Sequence, residues 1–253
     1  MSISENPHPF AIFPIIYCCF SPGFLNFFSQ LEQAFTIYPL GDAAICLDLG
    51  NRIDEAHNNR VLAIRQHLLK DPFTGLRELV IGYGSISIYY DAYIIKKKYQ
   101  PALVHHWVRR QLEQAYEATK NFMPPAGKIH QIPVRYGGED GPDLEILARN
   151  WGKSPEEIIA LHCSRKYRVY MIGFLPGFPY LGILPEELHT ERKQKPVAVK
   201  AGSVAIAGLQ TGIYPVDSPG GWHIIGRTDL SLFDINQDPP VWLEPGDYVE
   251  FRV

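Results

Sequence analysis

Apolar residues at helical spacing alternate with short strand-like runs up to about residue 162. Beyond it they come in short runs between turns. Between residues 35 and 49 two apolar runs flank Pro39-Leu40-Gly41-Asp42, which predicts two strands around a turn. Asp54 opens a helical pattern of Val61, Ile64 and Leu68, with Leu62 and Leu69 beside them, and Asp71-Pro72 ends it. Leu76–Ile81 and Ser85–Tyr90 read as strands joined by Gly82-Tyr83-Gly84. Pro101 opens a second helix at its first turn, where the missing N–H costs nothing; Leu103, Trp107, Val108, Leu112 and Ala115 form its apolar face. The order strand-strand-helix-strand-strand-helix predicts an α+β N-terminal domain over residues 35–123, two helices on one face of an antiparallel sheet.

Asn121 to Gly127, with Pro124-Pro125 inside it, reads as a stiff linker. Ile129–Val134 is a strand, followed by a short helix from Asp143 to Trp151 that Gly152 stops. Ser154, Pro155 and Glu157 form a capping box for a further helix reaching about His162. Strand patterns then follow at Tyr167–Phe174, Ser203–Ala207, Gly212–Tyr214, Trp222–Gly226, Leu230–Asp234 and Asp247–Val253. Residues 124–253 are therefore expected to form a mainly-β domain, a closed barrel with a small helical insert. Residues 1–34 form a third segment. Residues 9–28 are apolar and uncharged, but no positive residue precedes them as a signal peptide requires, and Pro14, Pro22 and Gly23 disfavour a membrane helix. This accessory segment is expected to pack on the body or on a neighbouring chain.

Composition sharpens the division. The 253 residues include 21 Gly and 21 Pro, and 27 of these 42 lie in residues 126–253, with 15 between Gly173 and Gly226. That excess marks turns, not disorder, because 46% of residues are hydrophobic and only 20% charged. The net charge is −3 and the only basic run is Lys96-Lys97-Lys98, which argues against a nucleic-acid partner. Cys18, Cys19, Cys46 and Cys163 contain no C-x-x-C pair, so a zinc or dithiol site is not expected and a cytoplasmic location with reduced thiols is.

Standard catalytic patterns fail. Gly152-Lys153-Ser154 resembles the end of a phosphate loop, but Leu147 stands where the loop needs glycine. Gly202-Ser203 is flanked by Ala201 and Ala205 where a nucleophile elbow needs glycines. His105 and His106, adjacent on a helix, are expected to point apart, and the His162-Cys163 neighbours are read as packing; no metal site is predicted. Two stretches stand out. Gly173 to Gly182 holds Phe174, Pro176, Phe178, Pro179 and Tyr180, a rigid aromatic surface that reads either as a partner surface or as a buried turn. Ala201 to Thr228 interleaves small residues with Gln210, Thr211, Tyr214, Ser218, His223 and Arg227, the candidate substrate-binding groups. Within it Gly220-Gly221 would offer backbone N–H groups to an oxyanion, and Arg227 would hold a carboxylate or pair with Asp217 or Asp229. No residue is assigned as catalytic.

These stretches carry a resemblance. P-L-G-D (39–42), Y-G-G-E-D-G-P-D-L (136–144), S-P-E-E-I-I-A-L-H (154–162), Y-R-V-Y-M-I-G-F-L-P-G-F-P-Y-L-G (167–182), A-G-S-V-A-I-A-G-L-Q-T-G-I-Y-P-V-D-S-P-G-G-W (201–222) and I-G-R-T (225–228) resemble the KipI/allophanate hydrolase subunit 1 family. The resemblance covers about residues 35–253; Lys200 departs from it where the family has proline. It implies a cyclophilin-like β-barrel behind the α+β domain. It also implies a subunit of a heteromeric ATP-dependent 5-oxoprolinase, which opens 5-oxoproline to L-glutamate. Partner subunits A and C, the latter of the allophanate hydrolase subunit 2 type, would carry or share the ATP site, and the isolated chain would be inactive. The alternatives are a KipI-like inhibitor of a sensor histidine kinase and a subunit of a urea/allophanate-type amidolyase.

Overall fold

The computed structural model describes residues 35–50 and 52–253. The expected accessory segment over residues 1–34, with Cys18 and Cys19, lies outside the described residues. The first sheet is antiparallel, with strands β1 (Thr36–Pro39), β2 (Ala44–Asp48), β3 (Leu76–Ile81) and β4 (Ser85–Tyr90) in the order β1-β2-β4-β3. Helix α1 (Glu55–Lys70) begins where Asp54 accepts a hydrogen bond from the His57 N–H at 2.8 Å. Ile45, Leu47, Ile86 and Ile88 from the sheet pack on Val61 and Ile64 of α1 and on Val108 and Leu112 of the last helix, all but excluded from water.

This part holds three helices among the described residues, where the pattern predicts two. The extra one, α2 (Ala92–Tyr99), is capped by Asp91 and contains the lysine run; Ile95 is its only buried side chain, so it leaves no apolar stripe in the sequence. The next helix, α3 (Val104–Ala118), begins three residues after Pro101. Gln100 at φ 48° ends α2, and the Pro101 carbonyl accepts from Lys96 Nζ at 2.6 Å instead of starting α3. His105 and His106 do not point apart: their rings pack edge to face at 4.2 Å.

The second sheet has eight strands in the order β5-β14-β7-β8-β11-β10-β13-β6. They are β5 (Ile129–Pro133), β6 (Arg135–Tyr136), β7 (Tyr167–Ile172), β8 (Pro179–Gly182), β10 (Ser203–Ala207), β11 (Gln210–Ile213), β13 (His223–Arg227) and β14 (Tyr248–Arg252); β9 (Val197–Val199) and β12 (Ser218–Gly220) form a separate ribbon. All pairs are antiparallel except β14 with β5. The sheet is nearly closed, and a single chain segment spans its gap. Residues 129–133 pair with β14, residues 135–136 pair with β13, and the Val134 N–H between them donates to the Arg252 carbonyl. Helices α4 (Leu144–Trp151) and α5 (Pro155–Cys163) follow the sequence pattern, and both arms of the Ser154/Glu157 capping box form. The strand expected over Leu230–Asp234 is not one: only Phe233 makes a bridge, to Val241, while Asp234 caps the turn at Asn236. Strands β8, β9 and β12 carry proline or glycine or are too short to show a period, so the pattern does not reveal them.

Alternation sorts the residues of the larger sheet. Tyr167, Val169, Val204, Ile206, Ile213, Val249 and Phe251 fill its interior against Leu144 and Ile158. Ala205, Ala207, Tyr214 and Ile224 face outward and meet Phe178, Val199 and Trp222 in a second cluster. The two sheets are joined by one buried guanidinium. Arg168 of β7 donates to Asn58 Oδ1 (2.9 Å), Asn59 Oδ1 (2.5 Å), Glu55 Oε1 (3.2 Å) and the Tyr248 hydroxyl (2.9 Å). Asn58 in turn donates to the carbonyls of Tyr83 (3.2 Å) and Tyr170 (2.9 Å). Replacing Asn58 by alanine strips an acceptor from a buried cation and donors from two carbonyls, and is expected to cost about 2–4 kcal/mol. Replacing Arg109, whose pair with Glu113 is exposed, should cost no more than about 0.5 kcal/mol. Urea unfolding of the full chain measures both.

Candidate functional site

The outward cluster of the larger sheet forms one side of a cleft of about 450 Å³. Phe178, Tyr180, Tyr214 and Trp222 line it in edge-to-face contacts, with ring centroids 5.0 to 5.9 Å apart. Phe174 stands at its lip, 63% exposed, with φ +69° and its ring 5.7 Å from Phe178. The opposite side is the segment carrying Arg192, Lys193 and Gln194, and the floor is Pro219, Gly220 and Gly221. The two cations differ. Lys193 Nζ lies 2.6 Å from Asp143 and is neutralised there, whereas Arg192 has no carboxylate partner among the described residues and sits 5.8 Å over the Trp222 ring. Burial raises the pKa of Tyr180 and Tyr214 above the usual 10, so both stay protonated donors at neutral pH.

The structure brings the two sequence stretches together but redistributes their residues. Of the candidate substrate-binding groups, Tyr214, Gly220 and Gly221 line the cleft. Gly220, however, is buried in the ribbon, paired with Val197, and the Gly221 carbonyl accepts the Lys193 N–H at 2.8 Å. Gln210 accepts from the Tyr83 hydroxyl at 2.8 Å, between the two sheets. Ser218 lies in β12 with its hydroxyl buried and unpaired. His223 Nε2 donates to the Glu191 carbonyl at 3.0 Å. Thr211 is fully buried, bonded to the Ala205 carbonyl and to His162. Arg227 lies outside the cleft lining. Its Nε donates to the Ala201 carbonyl at 3.0 Å and Nη1 is 4.0 Å from Asp140; the expected partners Asp217 and Asp229 pair with Lys200 and Arg135 instead. Among the candidate partner-surface residues, Phe174 and Pro176 are exposed and Tyr180 is half-buried, but Phe178 and Pro179 are buried, because β8 carries their stretch into the sheet. Sequence reasoning misses Arg192, since the segment around it has no motif; only its charge beside a run of Lys and Gln marks it.

Inside the barrel-like sheet runs a second polar feature. Thr211 donates to the Ala205 carbonyl (3.0 Å), so its oxygen accepts from His162 Nε2–H (3.0 Å). His162 Nδ1 is then the acceptor for the Tyr136 hydroxyl (2.7 Å), whose oxygen also meets Cys163 Sγ at 3.4 Å. Every proton in this chain of groups is committed, which makes it a structural network. Burial pushes the His162 pKa from 6.5 down to about 3.

Among the described residues Gly152 stops α4 at φ 62° and Ser154 caps α5, so Gly152-Lys153-Ser154 forms no phosphate cradle. Nor do the described residues include three His, Cys, Asp or Glu side chains grouped to hold a metal ion, or a helix long and apolar enough to cross a membrane.

The structure thus sets an open aromatic cleft with an exposed cation on the outside of a packed barrel-like sheet. The chain belongs to the carboxyltransferase domain family, subdomains C and D, which matches residues 35–243. It is 40% identical over 225 residues to the 5-oxoprolinase B subunit of Bacillus subtilis (strain 168), a match that takes in 88% of this chain and 91% of that protein. Against the 5-oxoprolinase B subunit of Escherichia coli O157:H7 it is 40% identical over 215 residues, 85% of this chain and 94% of that one. The crystal structure of TTHA0988 superposes with a TM-score of 0.70 at 37% identity over 83% of this chain, which corresponds to 39% of that longer chain. The resemblance read from the motifs is borne out.

Two outcomes follow. A Cβ on Gly220 would lie 2.3 Å from the Tyr214 hydroxyl, whereas one on Gly221 meets nothing nearer than 3.7 Å. Gly220→Ala should therefore displace Tyr214 and cost about 1–3 kcal/mol, while Gly221→Ala leaves the unfolding midpoint unchanged. For His162, the unfolded chain gains a proton below about pH 6.5 that the folded chain refuses until about pH 3. Its contribution is complete above pH 6.5 and falls by about 1.4 kcal/mol per pH unit below it. His162→Gln should flatten the wild-type stability profile between pH 6 and 4 by about that slope.

Proposed function

We propose that this chain is the B subunit of a heteromeric ATP-dependent 5-oxoprolinase that opens 5-oxoproline to L-glutamate. The observation that carries this reading is full-length likeness: 40% identity extends over 88% of this chain and 91% of a relative of that name. The chemistry agrees. A five-membered lactam is a stable amide, so its hydrolysis is coupled to ATP and needs a nucleotide site, electrostatic stabilisation and a hold on the substrate carboxylate. This chain offers an apolar cleft with a free cation and, among its described residues, no phosphate loop. We therefore place the nucleotide on, or shared with, partner subunits A and C, the latter of the allophanate hydrolase subunit 2 type, and the assembly in the cytoplasm. In this reading residues 35–123 and 124–253 are two domains, the second a cyclophilin-like barrel that carries no prolyl isomerase activity by virtue of its fold.

The test is co-expression with subunits A and C and assay of glutamate release. Release that needs both 5-oxoproline and ATP is expected from the full set and not from this chain alone. A complete set that releases none overturns the reading, and turnover of urea or allophanate instead identifies an amidolyase. The exposed Phe174 and Pro176 favour a second reading, a surface that docks a sensor histidine kinase. Unchanged kinase autophosphorylation at stoichiometric excess of the chain overturns it.

A further inference from the structure

The Arg192 segment is pinned on both sides of its exposed cation. On one side the Glu191 carbonyl accepts from His223 Nε2 at 3.0 Å. On the other, the Lys193 N–H donates to the Gly221 carbonyl at 2.8 Å and its ammonium is held 2.6 Å from Asp143, which also accepts the Ile224 N–H. Of the two cations that line the cleft, Arg192 is thus the one without a carboxylate partner among the described residues, and the backbone on either side of it is held at a cleft walled by aromatic rings. A guanidinium beside an apolar wall suits a small molecule with one carboxylate and a compact hydrocarbon body.

We propose that the cleft is the carboxylate-recognition site for a five-membered lactam acid, with Arg192 as the residue that holds the carboxylate and the accessible rings of Phe174 and Tyr180 as the seat of the ring. This deepens the 5-oxoprolinase reading and rests on it for the identity of the ligand. The half-buried Tyr180 supplies a hydroxyl donor for the lactam carbonyl. The role given to Arg227 by its sequence context passes to Arg192, because Arg227 is turned to Ala201 and Asp140.

Equilibrium binding to the full chain, followed by calorimetry, tests this with L-5-oxoproline and with 2-pyrrolidinone, which has the ring and lacks the carboxylate. Saturable binding of 5-oxoproline is expected, weakened at least tenfold in Arg192→Gln, with no change for 2-pyrrolidinone and none in Arg227→Gln. Arg192 is exposed, so its replacement leaves the fold intact, which the unfolding midpoint verifies. No saturable binding to the wild type, or equal binding to Arg192→Gln, overturns the proposal. The two readings fail separately. A reconstituted complex that releases glutamate with an unaltered KM in Arg192→Gln sinks the cleft and keeps the enzyme. An inactive complex with intact, Arg192-dependent binding does the reverse.

Discussion

Arg168 places a cation where water cannot reach it, on the outer side of β7 and beneath the first turn of α1. Such a charge is tolerable only if its N–H groups all find acceptors. The acceptors come from Glu55, Asn58 and Asn59 of one sheet's helix and from Tyr248 of the other sheet. One further acceptor position depends on irregularity. The register of β7 against β8 skips a residue between Val169 and Met171, so Tyr170 has no ladder partner on β8, and its carbonyl takes the Asn58 amide instead. The same amide donates to Tyr83, which fixes the β3–β4 turn beside the Tyr170 and Tyr180 rings and lets the Tyr83 hydroxyl reach Gln210. A wall of the cleft is therefore held from behind by the contact that joins the sheets.

What is legible in the sequence follows from which forces act locally. Helix α1 runs from Glu55 to Lys70 because Asp54 and Asp71-Pro72 set its ends within a turn of the chain, and β3, β4 and β10 match their apolar runs. Helix α2 is hidden because its single buried residue gives no period, and β8, β9 and β12 because their ladders are made by residues far off in the chain. The site is legible in part for the same reason. Motif density marks Tyr214 and Phe178, but the neutralisation of Lys193 by Asp143, 50 positions away in sequence, is what leaves Arg192 as the free charge. No local pattern contains that information, nor the contact of Arg227 with the Ala201 carbonyl.

Glycine and proline are dense between residues 173 and 226 for a steric reason as well as for turning. Gly212 and Gly220 leave room for the Phe178 and Tyr214 rings, where a Cβ would come within 2.8 and 2.3 Å of them. The absent side chains let four aromatic rings lie against a sheet and under a two-stranded ribbon. Rings held this way lose little freedom when a ligand arrives, so the cleft is ready for its occupant before binding.

The location of that cleft follows from the barrel-like sheet itself. An eight-stranded sheet that nearly closes has an interior just wide enough for its own side chains, and here Tyr167, Phe251 and the His162 network fill it. A ligand must then bind outside, on the face where alternation places Ala205, Ala207 and Tyr214. An outside site holds its ligand on one side and is open on the other. The chain supplies the cation and the aromatic seat, while the His162 network in its interior has every proton committed and is shielded from solvent. In the proposed reading this arrangement separates binding from bond-breaking: the groups that cleave the amide would approach from the open side, where a second subunit would stand.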